Sequence, residues 1–406
     1  MTLTVPLKRL IDPLRPITYG IVQAGEDVEG GVPYIRPVDM DGHRGVNPKG
    51  LRTTSPEIAA AYARSAVQPG DVVVSIGPSF GKTMVVPQEL DGANLTQGTA
   101  RVALRSDVSA RFVVWSLQSQ YAHDYWETSI GGATFRALNL GPLANTPIRM
   151  PSSIEQVAIA DYLDRETGRV DTLIEEQQRL IEMLRERRVA VVLDALTGDR
   201  GNWQVDKLGR HTRIGNGSTP RRDNQSYWAD EGFPWLNSAV VNLDFIDSAD
   251  QFVTERALAE CHLPVVRSGS VLVGLTGQGK TRGMATLLAS TATVNQHLAY
   301  VTPESDSWDS RFLLWALRAA YEDLRALSDE NGSTKGGLTC ADLKSFRIAR
   351  PSVDEQRRIA ARLDDQTVKI DQLMVETERF IELSRERRAA LITAAVTGQI
   401  DVREVA

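Results

Sequence analysis

Apolar side chains recur at a seven-residue spacing in two segments of the chain. In the first segment the repeating positions carry Val170, Gln177, Leu184 and Val191, with Leu173, Leu180, Ile174 and Ile181 beside them. In the second they carry Ile370, Leu373, Met374, Phe380, Ile381 and Leu391. Such a stripe is typical of a helix that packs along a second helix. Each segment is therefore predicted to form a long amphipathic helix.

The pattern also gives these helices approximate limits. The first should run from about Thr167 to Thr197, which is roughly 45 Å at 1.5 Å per residue. Gly198 and Gly398 are suitable terminators, because glycine readily adopts the left-handed conformation that follows a helix. Shorter helices are predicted just before the long ones, around residues 155–163 and 355–363.

The two helical segments are copies of each other. Residues 151–198 and 351–398 align at an offset of 200 without a gap, and about 23 of 48 positions are identical. The pair can form an antiparallel coiled-coil spacer or can be two ordinary core helices, and we favour the spacer because few other helices flank so long a stripe. The basic runs Arg185–Arg188 and Arg385–Arg388 are interpreted as a solvated or partner-facing patch rather than a DNA clamp.

Weaker repeats lie ahead of each helical segment. The sequence GVPYI at residues 31–35 matches GFPWL at 232–236, and RFVVWSL at 111–117 matches RFLLWAL at 311–317. The β-branched runs at 72–74 and 271–273, bounded by glycine-rich turns, predict strands. We therefore expect an α+β fold with an internal tandem repeat: β-rich mixed domains at 1–150 and 201–350, and helical spacer regions at 151–200 and 351–406.

Charge and composition restrict the possible partners. The net charge is −6, and the excess of negative charge lies largely in residues 151–198, which contain ten acidic and six basic side chains. The near-neutral domains could read DNA bases but would bind weakly alone, because phosphate neutralisation supplies much of the affinity. No apolar run reaches the roughly 18 residues needed to span a bilayer, and the N-terminus lacks a secretory signal. We expect a cytoplasmic protein without a membrane role.

One segment resembles a phosphate-binding loop. Residues 77–83 read GPSFGKT, with three residues between the glycines where the motif needs four, and the counterpart at residues 277–281 is shorter still. We interpret both segments as turns that present Lys82 and Lys280 to DNA. An ATP site is not expected.

Catalytic and metal-binding patterns are also weak. The sequence has no Asn- or Asp-Pro-Pro-aromatic loop of the kind that base methylation would need. The five histidines are scattered, and Cys261 and Cys340 have no further cysteine or histidine at metal-ligand spacing. We expect no catalytic residues, no metal and no cofactor in this chain.

The polar loop of the second domain carries a family resemblance. The run from Asn216 to Arg222, NGSTPRR, followed by Tyr227-Trp228 and FPWL, resembles the opening of a target recognition domain in the specificity subunits of type I restriction-modification systems. The duplicated helical segments resemble the helical regions of those subunits. The first domain departs from the pattern, with Tyr19-Gly20-Ile21-Val22-Gln23 in place of the GSTP loop.

The resemblance implies a non-catalytic DNA-binding subunit with two recognition domains. Its partners would be double-stranded DNA with a bipartite site, two methyltransferase subunits and, for cleavage, restriction motor subunits. Heads about 45 Å apart could meet major-groove faces roughly 34–36 Å, or one helical turn, from each other. Spacer length would then set the length of an unread gap.

Polar loop residues are the best candidates for base contacts, because their side chains can form paired hydrogen bonds with base edges. In the first domain these are Tyr19, Gln23, Lys82, Asn94 and Gln97. In the second they are Ser218, Thr219, Arg221, Arg222, Gln278, Lys280, Arg282, Asn295, Gln296 and Lys335. Each could equally be a solvated loop residue or a phosphate contact.

Two other classes of function remain open at this point. The chain could be a coiled-coil adaptor without sequence readout, or an enzyme with a DNA-modifying site that the sequence does not reveal. Binding that ignores DNA sequence would favour the adaptor, and cutting or methylation of DNA by the chain alone would favour the enzyme.

Overall fold

The computed structural model describes residues 3–41, 45–130, 136–197, 203–277, 279–304, 306–330 and 337–403. The chain forms two compact units. Unit 1 comprises residues 1–179 and 377–406, and unit 2 comprises residues 180–376. Each unit therefore contains one of the predicted β-rich domains together with part of both helical segments. The division of the chain at residues 150, 200 and 350 stays a prediction.

The first half of the chain begins with short strands and ends in a long helix. Its strands are β1 (Leu3–Pro6), β2 (Thr18–Tyr19), β3 (Val32–Ile35), β4 (Arg52–Thr54), β5 (Val72–Ser75), β6 (Thr83–Val85), β7 (Asn94–Leu95), β8 (Thr99–Val102) and β9 (Pro147–Met150). Its helices are α1 (Pro56–Ala61), α2 (Ala110–Gln118), α3 (Gln120–Ile130), α4 (Leu140–Asn145) and α5 (Ser153–Thr197).

The second half has the same order of elements with additional strands. Its strands are β10 (Gln204–Lys207), β11 (Thr212–Asn216), β12 (Trp228–Ala229), β13 (Phe233–Leu236), β14 (Phe245–Ile246), β15 (Phe252–Val253), β16 (Val271–Gly274), β17 (Ala285–Leu288), β18 (Thr293–Val294), β19 (Leu298–Pro303) and β20 (Arg347–Arg350). Its helices are α6 (Glu255–Glu260), α7 (Ser310–Ala319), α8 (Tyr321–Glu330), α9 (Cys340–Ser345) and α10 (Val353–Thr397).

The sheets of the two units share one topology. In unit 1 the main sheet has the order β2-β8-β5-β6, and in unit 2 the order is β11-β19-β16-β17-β14. The register is also the same, since Val73 of β5 faces Arg101 of β8 and Leu272 of β16 faces Tyr300 of β19. In both units a second sheet contains a parallel pair, β3 with β7 and β13 with β18. The predicted strands at 72–74 and 271–273 are confirmed as the buried centres of the two main sheets.

The matching segments at residues 111–117 and 311–317 lie in α2 and α7, and both helices pack in the cores of their units. Phe112 and Phe312 are at most 1% exposed. Each helix is capped at its N-terminus by a side chain that accepts backbone hydrogen bonds, Ser109 for α2 and Asp309 for α7. Such caps satisfy N–H groups that have no partner inside the helix.

In each unit a tryptophan and an aspartate connect the β-rich domain to a long helix. The indole nitrogen of Trp115 donates to Asp164 of α5 over 2.7 Å, and that of Trp315 donates to Asp364 of α10 over 2.9 Å. An arginine one turn before each tryptophan, Arg111 or Arg311, pairs with the same aspartate. The domains are therefore joined to the helices by directional hydrogen bonds as well as by apolar packing.

Replacing Asp364 with alanine is expected to destabilise unit 2 by about 1–3 kcal/mol, because it leaves a buried indole N–H without an acceptor. Trp315 is only 6% exposed, and Asp364 also pairs with Arg311, so the substitution removes two contacts at once. The measurement is the midpoint of urea unfolding of the full chain.

The neighbouring residue Asp365 provides a matched control. Its carboxylate pairs with Lys369 over 2.8 Å, and the two side chains are 60% and 67% exposed. Asp365→Ala should cost about 0.5 kcal/mol or less. Equal shifts for the two variants would contradict the role assigned to Asp364.

The long helices differ from the prediction at their N-termini. The predicted shorter helices around 155–163 and 355–363 are not separate: α5 and α10 each run unbroken for 45 residues, about 68 Å. Gly168 lies within α5 at an exposed position, where an added Cβ atom would meet nothing within 4 Å. Gly398 ends α10 with a φ of 75°, as predicted, whereas Gly198 lies outside the described residues.

Within each unit, α5 and α10 run antiparallel and are joined by an equivalent ion pair. In unit 2 the Nε atom of Arg188 lies 2.8 Å from Asp371, and in unit 1 that of Arg388 lies 2.9 Å from Asp171. The two basic runs were interpreted as a solvated or partner-facing patch; their first three residues are exposed, whereas their last members, Arg188 and Arg388, pair across the helices.

The apolar seam is narrower than the heptad pattern suggests. Ile174, Ile181, Ile370 and Ile381 are at most 9% exposed, as expected for the core of a helix pair. Leu373 and Phe380 were predicted on the same stripe but are 49% and 42% exposed. They fall on its border, because seven residues do not close two full turns of an α-helix.

Two absences concern only the part of the chain that the structure describes. Within it, no helix is both long and apolar enough to cross a membrane. The same residues contain no group of three or more histidine, cysteine, aspartate or glutamate side chains that could hold a metal ion.

Candidate nucleic-acid interface

Gly217 holds the predicted reading loop of unit 2 in close contact with the second sheet, and we call this contact the glycine seat. A Cβ atom on Gly217 would lie 1.8 Å from the carbonyl oxygen of Val294, so no other residue fits without moving the backbone. The N–H group of Gly217 donates to the carbonyl of Asn295 over 3.2 Å. The loop from Ser218 to Arg222 therefore starts from a fixed point beside β18.

Unit 1 has an equivalent glycine seat, formed by Gly20. A Cβ atom on Gly20 would lie 1.9 Å from the carbonyl oxygen of Leu95, the residue equivalent to Val294. The N–H group of Gly20 donates to Thr96 over 3.1 Å. The segment Gly20–Gln23 is thus the structural counterpart of the GSTP loop, although their sequences differ.

Two tryptophans of unit 2 donate hydrogen bonds to the backbone of this loop. The indole nitrogen of Trp235 donates to the carbonyl of Ser218 over 3.1 Å, and that of Trp228 donates to the carbonyl of Arg221 over 3.2 Å. The rings meet edge to face, with centroids 5.1 Å apart. The guanidinium carbon of Arg222 lies 4.1 Å and 4.9 Å from the two ring centres, within cation–π range. Arg222 thus holds the loop in place.

A chain of polar side chains connects this loop with two others. The hydroxyl of Thr219 donates to the Oε1 atom of Gln296 over 2.7 Å. The Nε2 atom of Gln296 lies 3.1 Å from Nε2 of His297, whose Nδ1 atom lies 3.0 Å from the hydroxyl of Thr276. The structure thus brings Thr219 and Gln296 together, as a shared reading surface requires.

Other predicted residues of unit 2 differ in their availability. Lys280 is exposed. Arg221 is also exposed and donates to Asp223 over 3.0 Å, which lowers the pKa of that carboxyl. Because both partners are in water, a DNA phosphate or a base could replace Asp223 at little cost.

The remaining predicted residues of this unit have internal roles or cannot be assessed. Asn295 is 5% exposed and accepts from the backbone of His297, and Arg282 is 8% exposed. The hydroxyl of Ser218 donates to the carbonyl of Cys261. These positions indicate structural support for the loop rather than contact with bases. Gln278 and Lys335 lie outside the described residues.

Three of the five predicted residues of unit 1 are accessible at the loop. Tyr19 is 37% exposed, Gln23 is exposed, and the exposed Gln97 is fixed by its N–H group, which donates to the carbonyl of Ile21 over 2.8 Å. Gln97 occupies the position that Gln296 has in unit 2.

Lys82 and Asn94 are engaged inside unit 1. The ammonium group of Lys82 donates to the carbonyls of Pro37 and Met40 over 3.2 Å and 2.9 Å. Asn94 is 1% exposed, and its amide bonds to Ser65 and to the carbonyl of Ala59. Neither side chain is presented to a ligand as the sequence suggested.

A family model described as the type I restriction modification DNA specificity domain matches the chain twice, over residues 22–183 and 200–378. The chain belongs to this family. The double match agrees with the internal repeat and confirms the family resemblance inferred from the sequence.

Curated relatives of this specificity-domain family align with part of the chain. The specificity subunit of the type I restriction enzyme EcoBI of Escherichia coli is 26% identical over 204 residues, which are 49% of this chain and 42% of the relative. That of EcoR124I/EcoR124II, also of Escherichia coli, is 21% identical over 243 residues, 59% of this chain and 60% of the relative. The chain thus spans about half the length of these relatives.

Solved structures of family members show that the fold extends over nearly the whole chain. A chain from a study of complex assembly and conformational transition of the type I R-M system has a TM-score of 0.77 at 18% identity, with 97% of each chain covered. The HsdS subunit from Thermoanaerobacter tengcongensis has a TM-score of 0.64 at 19% identity, covering 98% of this chain and 97% of that one. The predicted α+β class with two long helices is confirmed.

Proposed function

We propose that this chain is the non-catalytic specificity subunit of a type I restriction-modification complex and that it reads a two-part DNA sequence. The observation that supports the proposal is the repeated glycine seat. Gly20 and Gly217 place two loops on equivalent strands, while the side chains that the loops carry differ. One scaffold with two different polar surfaces is suited to reading two different groups of bases.

The accessible polar residues supply the chemistry for base readout. Gln296 and Gln97 can each form a pair of hydrogen bonds with adenine, and Arg221 and Lys280 can donate to guanine. Thr219, Tyr19 and Gln23 extend these two surfaces. The glycine seats fix both loops, and in unit 2 the indole hydrogen bonds of Trp228 and Trp235 fix the loop further. Little conformational entropy is therefore lost on binding.

The family also suggests the partners and the place of action. In this proposal two methyltransferase subunits and the restriction motor subunits bind the chain, carry out the chemistry and act with it on DNA in the cytoplasm. The helices α5 and α10 contribute residues to both units, so we propose that their length sets the number of unread base pairs between the two half-sites.

Domain exchange tests this function directly. Residues 1–150 are replaced by the corresponding segment of a relative with a different recognition sequence, and methylated bases are mapped in DNA modified by the reconstituted complex. We expect one half of the recognised motif to change completely, because that half is read by unit 1 alone.

Exchange of residues 201–350 is the matched experiment and should change only the other half. In both cases the gap and the unchanged half-site should be retained. A change confined to overall affinity, or modification that ignores DNA sequence, would refute the proposed function.

A further inference from the structure

A charged groove of about 410 Å³ lies on the main sheet of unit 2, at its β11 edge. Arg213 of β11 and Tyr300 and Thr302 of β19 contribute to its wall, because Arg213 faces Thr302 across the sheet. Arg267 and Val265, from the loop before β16, form part of the opposite wall. The groove is thus built from two strands and a loop that the sheet holds in fixed register.

The groove offers hydrogen-bond donors that the protein does not use. The guanidinium of Arg213 and the hydroxyl of Tyr300 have no hydrogen-bond or ion-pair partner among the described residues. Arg267 uses one nitrogen to donate to the carbonyl of Pro303. Glu304 adds one carboxylate to the lining, so two guanidinium groups face one negative charge. An anion with several acceptor oxygens suits this set of donors.

Unit 1 shows that the scaffold does not require such a groove. At the position of Tyr300, β8 carries Arg101, which is 5% exposed and donates to the carbonyls of Pro16 and Ala66. Arg15 and Asp71 form an ion pair at the same face, 2.5 Å apart. In unit 1 most of these polar groups therefore bond to one another, whereas in unit 2 the guanidinium of Arg213 has no partner among the described residues.

The groove adjoins the reading loop of unit 2. Arg213 and Asn216 lie three positions apart along β11, about 10 Å of extended chain. The loop that carries Arg267 also begins beside the glycine seat, since Pro264 would lie 3.0 Å from a Cβ atom on Gly217. A DNA strand advances about 3.4 Å per nucleotide along the helix axis. The groove therefore lies about 10 Å from the start of the reading loop, a distance that a DNA strand spans in about three nucleotides.

We propose that this groove binds a phosphate of the DNA backbone next to the half-site read by unit 2. The proposal rests on the proposed function in taking DNA as the ligand. A phosphate held by Arg213, Arg267 and the Tyr300 hydroxyl fixes the position of the duplex relative to the reading loop without reading any base. In the described part of unit 1 the corresponding position carries Arg101, which bonds internally, so this anchoring is proposed for the half-site of unit 2 alone.

The test measures DNA binding by the full chain as a function of salt concentration. Two duplexes of 30 base pairs serve as probes: one recovered by selection with the wild-type chain from a randomised pool, and one unrelated to it. Arg213→Ala should weaken binding to both duplexes by the same factor, about two- to fivefold. It should also reduce the slope of log affinity against log salt by about 0.9, the value expected for one lost phosphate contact.

Two further variants separate this effect from a loss of structure. Glu304→Gln removes the opposing charge and should strengthen binding to both duplexes, a gain that damage to the fold would not produce. Arg362→Ala removes an equally exposed arginine from α10, away from the groove, and should leave the salt slope unchanged.

The outcomes also distinguish this proposal from the proposed function. If Arg213→Ala leaves the salt slope unchanged while the wild-type chain still selects a sequence, the phosphate site is refuted and the specificity function stands. If selection yields no sequence but Arg213→Ala still lowers the slope, the site is supported and sequence reading is refuted. A variant that alters the selected sequence itself would show Arg213 to be a base contact and would overturn the phosphate assignment.

Discussion

Replacing Gly217 with alanine is expected to abolish reading of one half-site and leave the other half-site intact. The added methyl group would lie 1.8 Å from the carbonyl oxygen of Val294, which β18 holds in place through its pairing with β13. The loop must therefore leave its seat, and Thr219 separates from Gln296. The recognised motif, mapped from methylated bases, should lose all selection in one half.

Gly279 is a matched control for this substitution. It lies in a loop of the same unit, its φ is not positive, and nothing lies within 4 Å of a Cβ atom built on it. Gly279→Ala should therefore keep both half-sites, and Gly20→Ala should remove selection in the opposite half. If Gly217→Ala unfolds the chain, Thr219→Val tests the same loop by removing only its hydrogen bond to Gln296. Retention of both half-sites by the Gly217 and Thr219 variants would refute the site.

Insertion of one helical turn into both α5 and α10 is expected to lengthen the unread gap. Four residues added after Arg179 and four after Arg379, two equivalent and exposed positions, extend each helix by about 6 Å. At about 3.4 Å per base pair this distance corresponds to one or two base pairs. Both half-sites should keep their sequence, because the reading loops are unchanged.

The double variant Arg179→Ala, Arg379→Ala alters the same positions without adding length, so its gap should equal that of the wild type. The measurement is again the motif mapped from methylated DNA. A gap that stays constant after the insertion, with both half-sites retained, would show that helix length does not set the spacing.

The regular parts of the fold could be predicted from the sequence because local pattern determines them. The heptads, the repeat and the β-branched runs identified α5, α10, β5 and β16. The predicted helix break before Thr167 was wrong, since α5 runs unbroken from Ser153 to Thr197 and α10 from Val353 to Thr397.

The candidate site could be predicted only in part, because availability depends on contacts between distant residues. Lys82 was assigned correctly to a turn, but the carbonyls that engage its ammonium group lie more than forty residues earlier in the chain. Asn94 is buried against Ala59 and Ser65, again through a long-range contact. No local pattern distinguishes such an asparagine from an exposed one.

The indole hydrogen bonds of Trp228 and Trp235 to the loop are not predicted by the sequence for a different reason. Trp228 and Trp235 were noted as part of a family signature, but their contacts with the loop depend on the edge-to-face geometry of the rings. An arginine followed within six residues by a tryptophan could have suggested a cation–π contact at Arg222. That signal is weak without the structure.

The division of the chain into units has a consequence for synthesis on the ribosome. Unit 2 is one continuous segment, residues 180–376, and can be completed once that stretch has emerged. Unit 1 contains residues that precede unit 2 in the chain, yet its core also includes Ile392, Ala395, Val396 and Val402, which follow unit 2. Domains usually fold in the order of their synthesis. The core of unit 1 therefore cannot close until all of unit 2 and the segment that follows it have been translated, and nascent unit 1 depends on remaining unaggregated until then.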